Sequence, residues 1–297
     1  MAIKSDEVGS PAAEARKHGG RIFALWFVAS VIVDLVVWFV WGPHMAPGFM
    51  TTTAAGQVFD FKVLTVLSAP VLLMVWIYGG YSLIMFRDKG THEDGYYVKG
   101  NRKIQATWYT LTGILVIGLA AFGTYELIAP AGAGVGEGPS PIWKPNNAGH
   151  TLIVQVIAQQ WRFTYRWPQF GGMETTSINL PVNTEIQFDV TSLDVIHDFW
   201  AYQLGVKADA NPEVNNVAYT KTLQTGRFVV RCDELCGIWH GAMYNYGHVV
   251  SQSSFYSWAH SMEAQNASLT KLLPKFSTSY LPKDNVVGGQ YFNSSQA

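Results

Sequence analysis

Three consecutive stretches decide the fold: Gly226-Arg227-Phe228-Val229-Val230-Arg231, then Cys232-Asp233-Glu234-Leu235-Cys236-Gly237-Ile238-Trp239-His240-Gly241-Ala242-Met243, then Tyr246-Gly247-His248-Val249-Val250. The outer two are rich in strand formers, so the middle one reads as a loop joining two β-strands. It holds the only two cysteines of the chain, four residues apart, with a histidine four further on and a methionine three beyond that. Thiolate and thioether sulfurs favour soft ions such as Cu(I), and imidazole suits copper, zinc or iron. A closed zinc tetrahedron has no use for Met243, whereas a weak thioether is typical of copper electron-transfer sites.

Two plainer readings compete. Spacings of four, four and three also fall on one helical face, so the residues could be an apolar stripe of a core helix. Gly237 and Gly241 argue against that. A structural disulfide would account for the cysteines but for neither His240 nor Met243.

The pattern Cys-x-Glu-x-Cys-x-x-x-His-x-x-Met resembles the dinuclear copper A motif of cytochrome c oxidase subunit II. Ser192-Leu193-Asp194-Val195-Ile196-His197-Asp198-Phe199-Trp200, followed by Leu204-Gly205-Val206-Lys207-Ala208-Asp209-Ala210, is similar to the segment that supplies the family's more distant histidine. The resemblance covers roughly residues 60–260. It implies that Cys232 and Cys236 bridge two coppers, that His197 and His240 bind one each, that Met243 is a weak ligand, and that Glu234 contributes its backbone carbonyl. It further implies that the Glu234 side chain reaches a magnesium or manganese ion facing subunit I. Trp161, in Gln159-Gln160-Trp161-Arg162-Phe163-Thr164-Tyr165-Arg166-Trp167, looks like the family's surface tryptophan through which electrons arrive. Phe163, Tyr165 and Trp167, which alternate with it, are left as packing residues.

Working outward, 48% hydrophobic and 14% charged residues make the chain more apolar than an ordinary soluble protein. A net charge of -1 gives no basic footprint for nucleic acid, and neither a phosphate-binding glycine loop nor an internal repeat is present. Three apolar spans, 22–41, 63–86 and 108–128, are long enough to cross a bilayer core of about 30 Å. A cleaved signal peptide is the rival reading of the first, but its apolar run is too long and no small-residue cleavage site follows. Four Lys or Arg precede the first span, five lie in the loop 87–107 and none in the loop 44–61. That asymmetry predicts a cytoplasmic N-terminus and delivers the C-terminal domain outside. Asp34, inside the first span, is a costly carboxylate that reads either as a proton relay or as a neutral group bonded to a neighbouring helix.

The expected fold is therefore a membrane-anchored all-β protein: three N-terminal transmembrane α-helices followed by a cupredoxin-like Greek-key β-barrel. The expected divisions are a cytoplasmic N-terminus 1–21, a helical region 22–130, a Gly/Pro-rich linker 131–147, a copper domain 148–260 and a C-terminal extension 261–297. Strand signals recur at 151–158, 161–167, 176–180, 185–191, 217–222, 226–232 and 245–251, predicting an antiparallel sandwich or barrel. The expected partners are subunit I and other oxidase subunits, a cytochrome c or other periplasmic electron donor, and the lipid of the inner membrane.

Two departures from the family pattern stand out. Gln105 occupies a position where the family commonly has a titratable glutamate, so no proton-uptake role is carried over. Arg166, with Arg162 nearby, replaces an acidic residue that would help to hold a basic cytochrome c. Asp189, Asp194, Asp198, Asp209 and Glu213 remain as candidates for steering the donor. The alternatives are the copper A subunit of a nitric oxide reductase, and a membrane-anchored copper-delivery or structural zinc domain.

Overall fold

The computed structural model describes residues 11–87, 90, 100–128, 135–137, 151–212 and 214–271. The N-terminal ten residues, most of the loop 87–107, most of the expected linker and the tail beyond 271 lie outside the described residues, as does Glu213. The chain divides into two compact units, one from Met1–Met45 and Phe59–Tyr109, the other from Ala46–Val58 and Thr110–Ala297.

Among the described residues, three helices are long and apolar enough to cross a membrane. α1 (Pro11–Val36) runs on through a π-helical turn, Val37–Trp41; α2 spans Thr52–Met85 and α3 Arg102–Ile128. α1 and α2 meet through His18 Nδ1 and the Tyr81 hydroxyl at 2.7 Å, through Trp26 Nε1 donating to the Pro70 carbonyl at 2.8 Å, and through Lys62 Nζ over the Trp38 ring at 4.2 Å. Asp34 Oδ1 is shielded with no hydrogen-bond partner among the described residues, so the expected bond to a neighbouring helix is not formed by that atom.

Both later helices begin well before their apolar spans, for a local reason. Thr51 Oγ1 accepts from Ala54 N–H at 3.0 Å, and Asn101 Oδ1 accepts from Lys103 N–H at 2.9 Å. Each satisfies a backbone donor that a helix N-terminus leaves orphaned. Thr51 also donates to the Leu204 carbonyl at 2.6 Å, and Gln57 Nε2 donates to the Gly205 carbonyl at 2.8 Å, tying residues 51–57 to the β-domain. Gly205 sits at φ +64°, where a Cβ would lie 2.8 Å from the Ala54 backbone, so glycine serves both the turn and the close approach.

The β-domain is a two-sheet sandwich of cupredoxin-like fold. One sheet orders β1 (Val135–Glu137), β9 (Asn216–Lys221), β6 (Glu185–Ser192), β2 (Leu152–Gln159), β3 (Arg162–Trp167) and β4 (Met173–Thr175). The other orders β5 (Ile178–Pro181), β11 (Tyr244–Val250), β10 (Gly226–Cys232), β7 (His197–Ala201) and β8 (Val206–Ala210). The sheets are mixed rather than wholly antiparallel, because β2 pairs with β6 and β5 with β11 in parallel. Period-two alternation sends Phe228, Val230 and Cys232 of β10 inward, while Arg227 and Arg231 face out. Phe163, Phe188 and Phe199 meet in the core, with Phe199 centroids 5.9 Å and 5.2 Å from the other two.

A further helix, α4 (Gln252–Gln265), runs across the boundary expected at residue 260. Ser251 caps it, and it buries Phe255 and Ala259 against the edge of the sandwich, where Phe255 and Trp258 contact Trp167.

Candidate metal centre

His197 opens β7, Cys232 closes β10, and Met243 directly precedes β11. β7 and β11 flank β10 antiparallel, so three strand ends converge, and the loop 233–242 returns across them. Cys232 N–H donates to the Met243 carbonyl at 3.0 Å and closes the neck of that loop. Inside it, Cys232 Sγ lies 3.6 Å from Cys236 Sγ. His197 Nδ1 stands 3.8 Å from Cys232 Sγ, and His240 Nδ1 stands 3.5 Å from Cys236 Sγ. Met243 Sδ is 3.8 Å from Cys236 Sγ, and the Glu234 carbonyl oxygen is 3.2 Å from Cys232 Sγ. His197, both cysteines and Met243 are buried, and no disulfide joins the two cysteines in this structure. Donor atoms of His197, Cys232 and Cys236 fall within 4.8 Å of one another, a cluster able to hold a metal ion.

The donor chemistry fits copper. Two sulfurs, two imidazoles, a thioether and a carbonyl point at one small volume, the soft-to-borderline set that copper takes. Neither imidazole needs to turn, since Nδ1 of each already faces a sulfur. The other nitrogen of His197, Nε2, is 2.8 Å from Asp194 Oδ1, the outer carboxylate contact that fixes a ligating imidazole. Asp194 is held in turn by N–H donation from Gln160 and Val195, each at 2.7 Å. Burial would push the Asp194 carboxyl up, but these donors and His197 hold it below its ordinary value. Burial likewise works against the His197 imidazolium, which Cys232 and Asp194 nonetheless keep above its usual range.

The two thiols are driven apart. Burial disfavours the Cys232 thiolate, yet the hydrogen bonds from His197 and the Asp198 backbone bring it down to about 6. Burial, then the hydrogen bond and charge of Cys232, push Cys236 up to about 12. The proximity of the sulfurs favours one thiolate and one thiol across the pair, and metal binding must release the remaining proton. A cleft of 420 Å³ lined by Arg231, Cys232, His240, Met243, Tyr244 and Tyr246 gives access to the cluster.

The structure thus brings together every residue the motif singled out. Trp161 is half-buried beside the loop, where its Nε1 donates to the Cys236 carbonyl at 3.1 Å. Phe163, Tyr165 and Trp167 are buried, and the Glu234 side chain is exposed.

Other expectations are corrected. Asp189 and Asp198 are buried and cannot form part of a surface that steers a donor. Arg166 is buried too, its Nε donating to the Gly172 carbonyl at 3.0 Å, so it does not oppose a basic partner at the surface. Asp194 is turned to His197 and Gln160 rather than outward alone. Sequence reasoning missed this orienting role and that of Gln160, whose Nε2 donates to the Cys236 carbonyl at 2.9 Å. A carboxylate three residues before a candidate ligand was the available signal for the first; the second depends on a tertiary contact.

The family model described as cytochrome c oxidase subunit II, periplasmic domain, matches residues 174–250. Cytochrome c oxidase subunit 2 of Thermostichus vulcanus is 25% identical over 81% of this chain and 86% of its own length. The crystal structure of the periplasmic domain of subunit II of cytochrome oxidase (CoxB) of Bradyrhizobium japonicum is 32% identical over 38% of this chain and 94% of that one, with a TM-score of 0.37. Cytochrome c oxidase subunit 2 of Eremothecium gossypii is 30% identical over 67% of this chain and 82% of its own length. Identity at that level over most of a relative makes this chain a member of the cytochrome c oxidase subunit 2 family.

Proposed function

We propose that the chain receives electrons for a respiratory haem-copper oxidase, taking them from an external donor at a dinuclear copper A centre and passing them to haem in subunit I, where dioxygen is reduced to water. The observation that carries this reading is the pair of cysteine sulfurs 3.6 Å apart with an imidazole Nδ1 against each. Cys232, Cys236, His197 and His240 would hold the copper, with Met243 and the Glu234 carbonyl as weaker donors. Copper held there would supply one-electron transfer chemistry.

The remaining work is done by the chain. The β7, β10 and β11 ends hold the donors on rigid elements, which keeps their geometry fixed as charge changes. Asp194 orients the His197 ring. Trp161 is the point at which electrons arrive, one hydrogen bond from the peptide of Cys236. The exposed Glu234 carboxylate is assigned to a magnesium or manganese ion on the side of subunit I. Membership of the oxidase family gives no support to the nitric oxide reductase or metal-delivery readings. The three apolar helices and the positive-inside asymmetry support a multi-pass protein of the inner membrane with its β-domain on the periplasmic face.

The test is copper loading of the full-length chain in detergent, with metal analysis and electron paramagnetic resonance. Two coppers sharing one unpaired electron equally are expected. A single copper, or preference for zinc, would replace this reading with a metal-delivery or structural one.

A further inference from the structure

Two stretches of chain carry the metal donors, and one lysine holds both. His197 is followed by Asp198 on β7, and Cys232 is followed by Asp233 at the start of the ligand loop. Lys207 Nζ, on β8, lies 3.3 Å from Asp198 Oδ2 and 2.5 Å from Asp233 Oδ2. The strand register explains the convergence. Phe199 points into the core, so its neighbours Asp198 and Trp200 point to the outer face of the sheet. Lys207 stands opposite Trp200, with its ammonium 5.8 Å from the ring centroid, and Cys232 stands opposite Phe199. The main chain joins the same two stretches: Asp233 N–H donates to the Asp198 carbonyl at 3.3 Å, and Asp198 N–H donates to the Cys232 sulfur.

The two halves of this bridge differ in weight. The Asp198 side chain is 2% exposed and its Oδ1 has no hydrogen-bond partner among the described residues, so its charge is compensated through Oδ2 and Lys207. Removing one partner of a buried pair strands the other charge away from water. The Asp233 half is exposed, and an isolated pair of that kind contributes little. Here Asp198 and the Trp200 ring already order the lysine, so the side-chain entropy that weakens a surface pair is largely lost before Asp233 is reached. Nothing nearby substitutes for Lys207. Asp209, opposite Asp198 across β7 and β8, and Asp233 both repel the Asp198 carboxylate. Arg231 lies in the same cross-strand row as Trp200 and Lys207, yet among the described residues it pairs with neither aspartate. Asp194 is engaged by His197 and Gln160.

We propose that Lys207 is a positioning residue for the metal centre, which by holding Asp198 and Asp233 together keeps the ligand loop closed against β7. What this implies for copper rests on the reading of the cluster as a copper site; what it implies for the metal-free loop rests on the geometry alone. Charge by itself predicts the reverse effect on the metal. Taking a cation away from beside a site that binds cations should slow metal release, so faster release from a Lys207 variant reports a freed loop.

The experiment uses the full-length chain in detergent, metal-free and copper-loaded, as Lys207→Met, Lys207→Arg and Asp233→Ala. In the metal-free chain, amide hydrogen exchange over residues 232–236 should quicken about ten-fold in Lys207→Met and in Asp233→Ala, with exchange in β2 and β6 unchanged. Lys207→Arg should stay within about two-fold of the wild type, because a guanidinium can span two carboxylates. In the copper-loaded chain, transfer of copper to an excess of chelator should be about ten-fold faster from Lys207→Met, the size expected for loss of an outer contact, and near wild type with arginine. Asp233→Ala carries the test if Lys207→Met does not fold, since it leaves the buried Asp198–Lys207 pair intact. Loop exchange unchanged in both variants would overturn the clamp. So would slower copper release from Lys207→Met, which is the effect of charge alone, or a Lys207→Arg loop as fast as that of Lys207→Met, which would assign the effect to packing of the lysine stem. A wild-type chain that takes up no copper would remove the electron-receiving reading, and the exchange comparison would still decide the clamp. A wild-type chain that binds copper while its loop is indifferent to Lys207 would remove the clamp alone.

Discussion

Asp194 is the residue on which the site's geometry turns without being a ligand. Its carboxylate contacts His197 Nε2 at 2.8 Å while Gln160 and Val195 donate to it, so the imidazole is held with Nδ1 towards Cys232. Asp194→Asn keeps the size but removes the charge and forces an amide donor or acceptor choice upon the ring. Loss of such an outer contact typically costs 10–100-fold in metal affinity. Copper titration of the variant should show weakening of about that size with copper still bound at saturation, and unchanged affinity would mean that the strand ends alone orient His197. Legibility at this scale was good where spacing is local and poor where it is not. Cys232, Cys236, His240 and Met243 are fixed within one loop and could be read directly, whereas Asp189 and Asp198 look like any other surface carboxylates until the sheets close over them.

At the scale of elements, alternation and loop spacing made most strands readable, and the failures have physical causes. β8 was not recognised as a strand, since Val206-Lys207-Ala208-Asp209-Ala210 alternates in burial but has little β-branched character. α4 is Ser-rich and weakly amphipathic, and only Phe255 and Ala259 are buried in it, too small a stripe to stand out beside the polar tail. The two parallel pairings depend on contacts distant in sequence that no local pattern encodes. The same burial within β6 produces a pH dependence. Asp189 is fully enclosed between β2 and β9, and burial lifts its carboxyl to about 6 despite the 2.8 Å bond from Gln187 Nε2. A folded pKa above the unfolded value of about 3.9 means that the native state binds the extra proton. Its favourable contribution is therefore complete below pH 4 and lost as pH rises through 6. Asp189→Asn should stabilise the protein by about 2–3 kcal/mol above pH 7, at 1.36 kcal/mol per pKa unit, with the advantage fading towards pH 4. Thermal unfolding across that range measures it, and a pH-independent difference would refute the assignment.

For the whole molecule the decisive quantity is where the basic residues fall relative to three apolar helices. Four precede the first helix and five lie in the loop 87–107, while the loop 44–61 has none. The structure refines this count, because α2 begins at Thr52 and takes Lys62 into the helix, where its ammonium rests over Trp38. A lysine at the edge of an apolar span whose ammonium rests over an aromatic ring is tolerated at an interface and adds little to the bias of a loop. The asymmetry therefore survives the longer helix and predicts an odd number of crossings, with residues 45–51 and the β-domain on the outer side. Alkaline phosphatase, which is active only outside the cytoplasm, should report activity when fused after residue 48 or after residue 271, and none when fused after residue 95. Moving the five cations of the loop 87–107 to the loop 44–51 should reverse or scramble that pattern, as expected if the basic residues rather than the order of the helices set orientation. Phosphatase activity after residue 95 in the unaltered chain would place the metal-binding domain in the cytoplasm and remove the external donor from the proposed function.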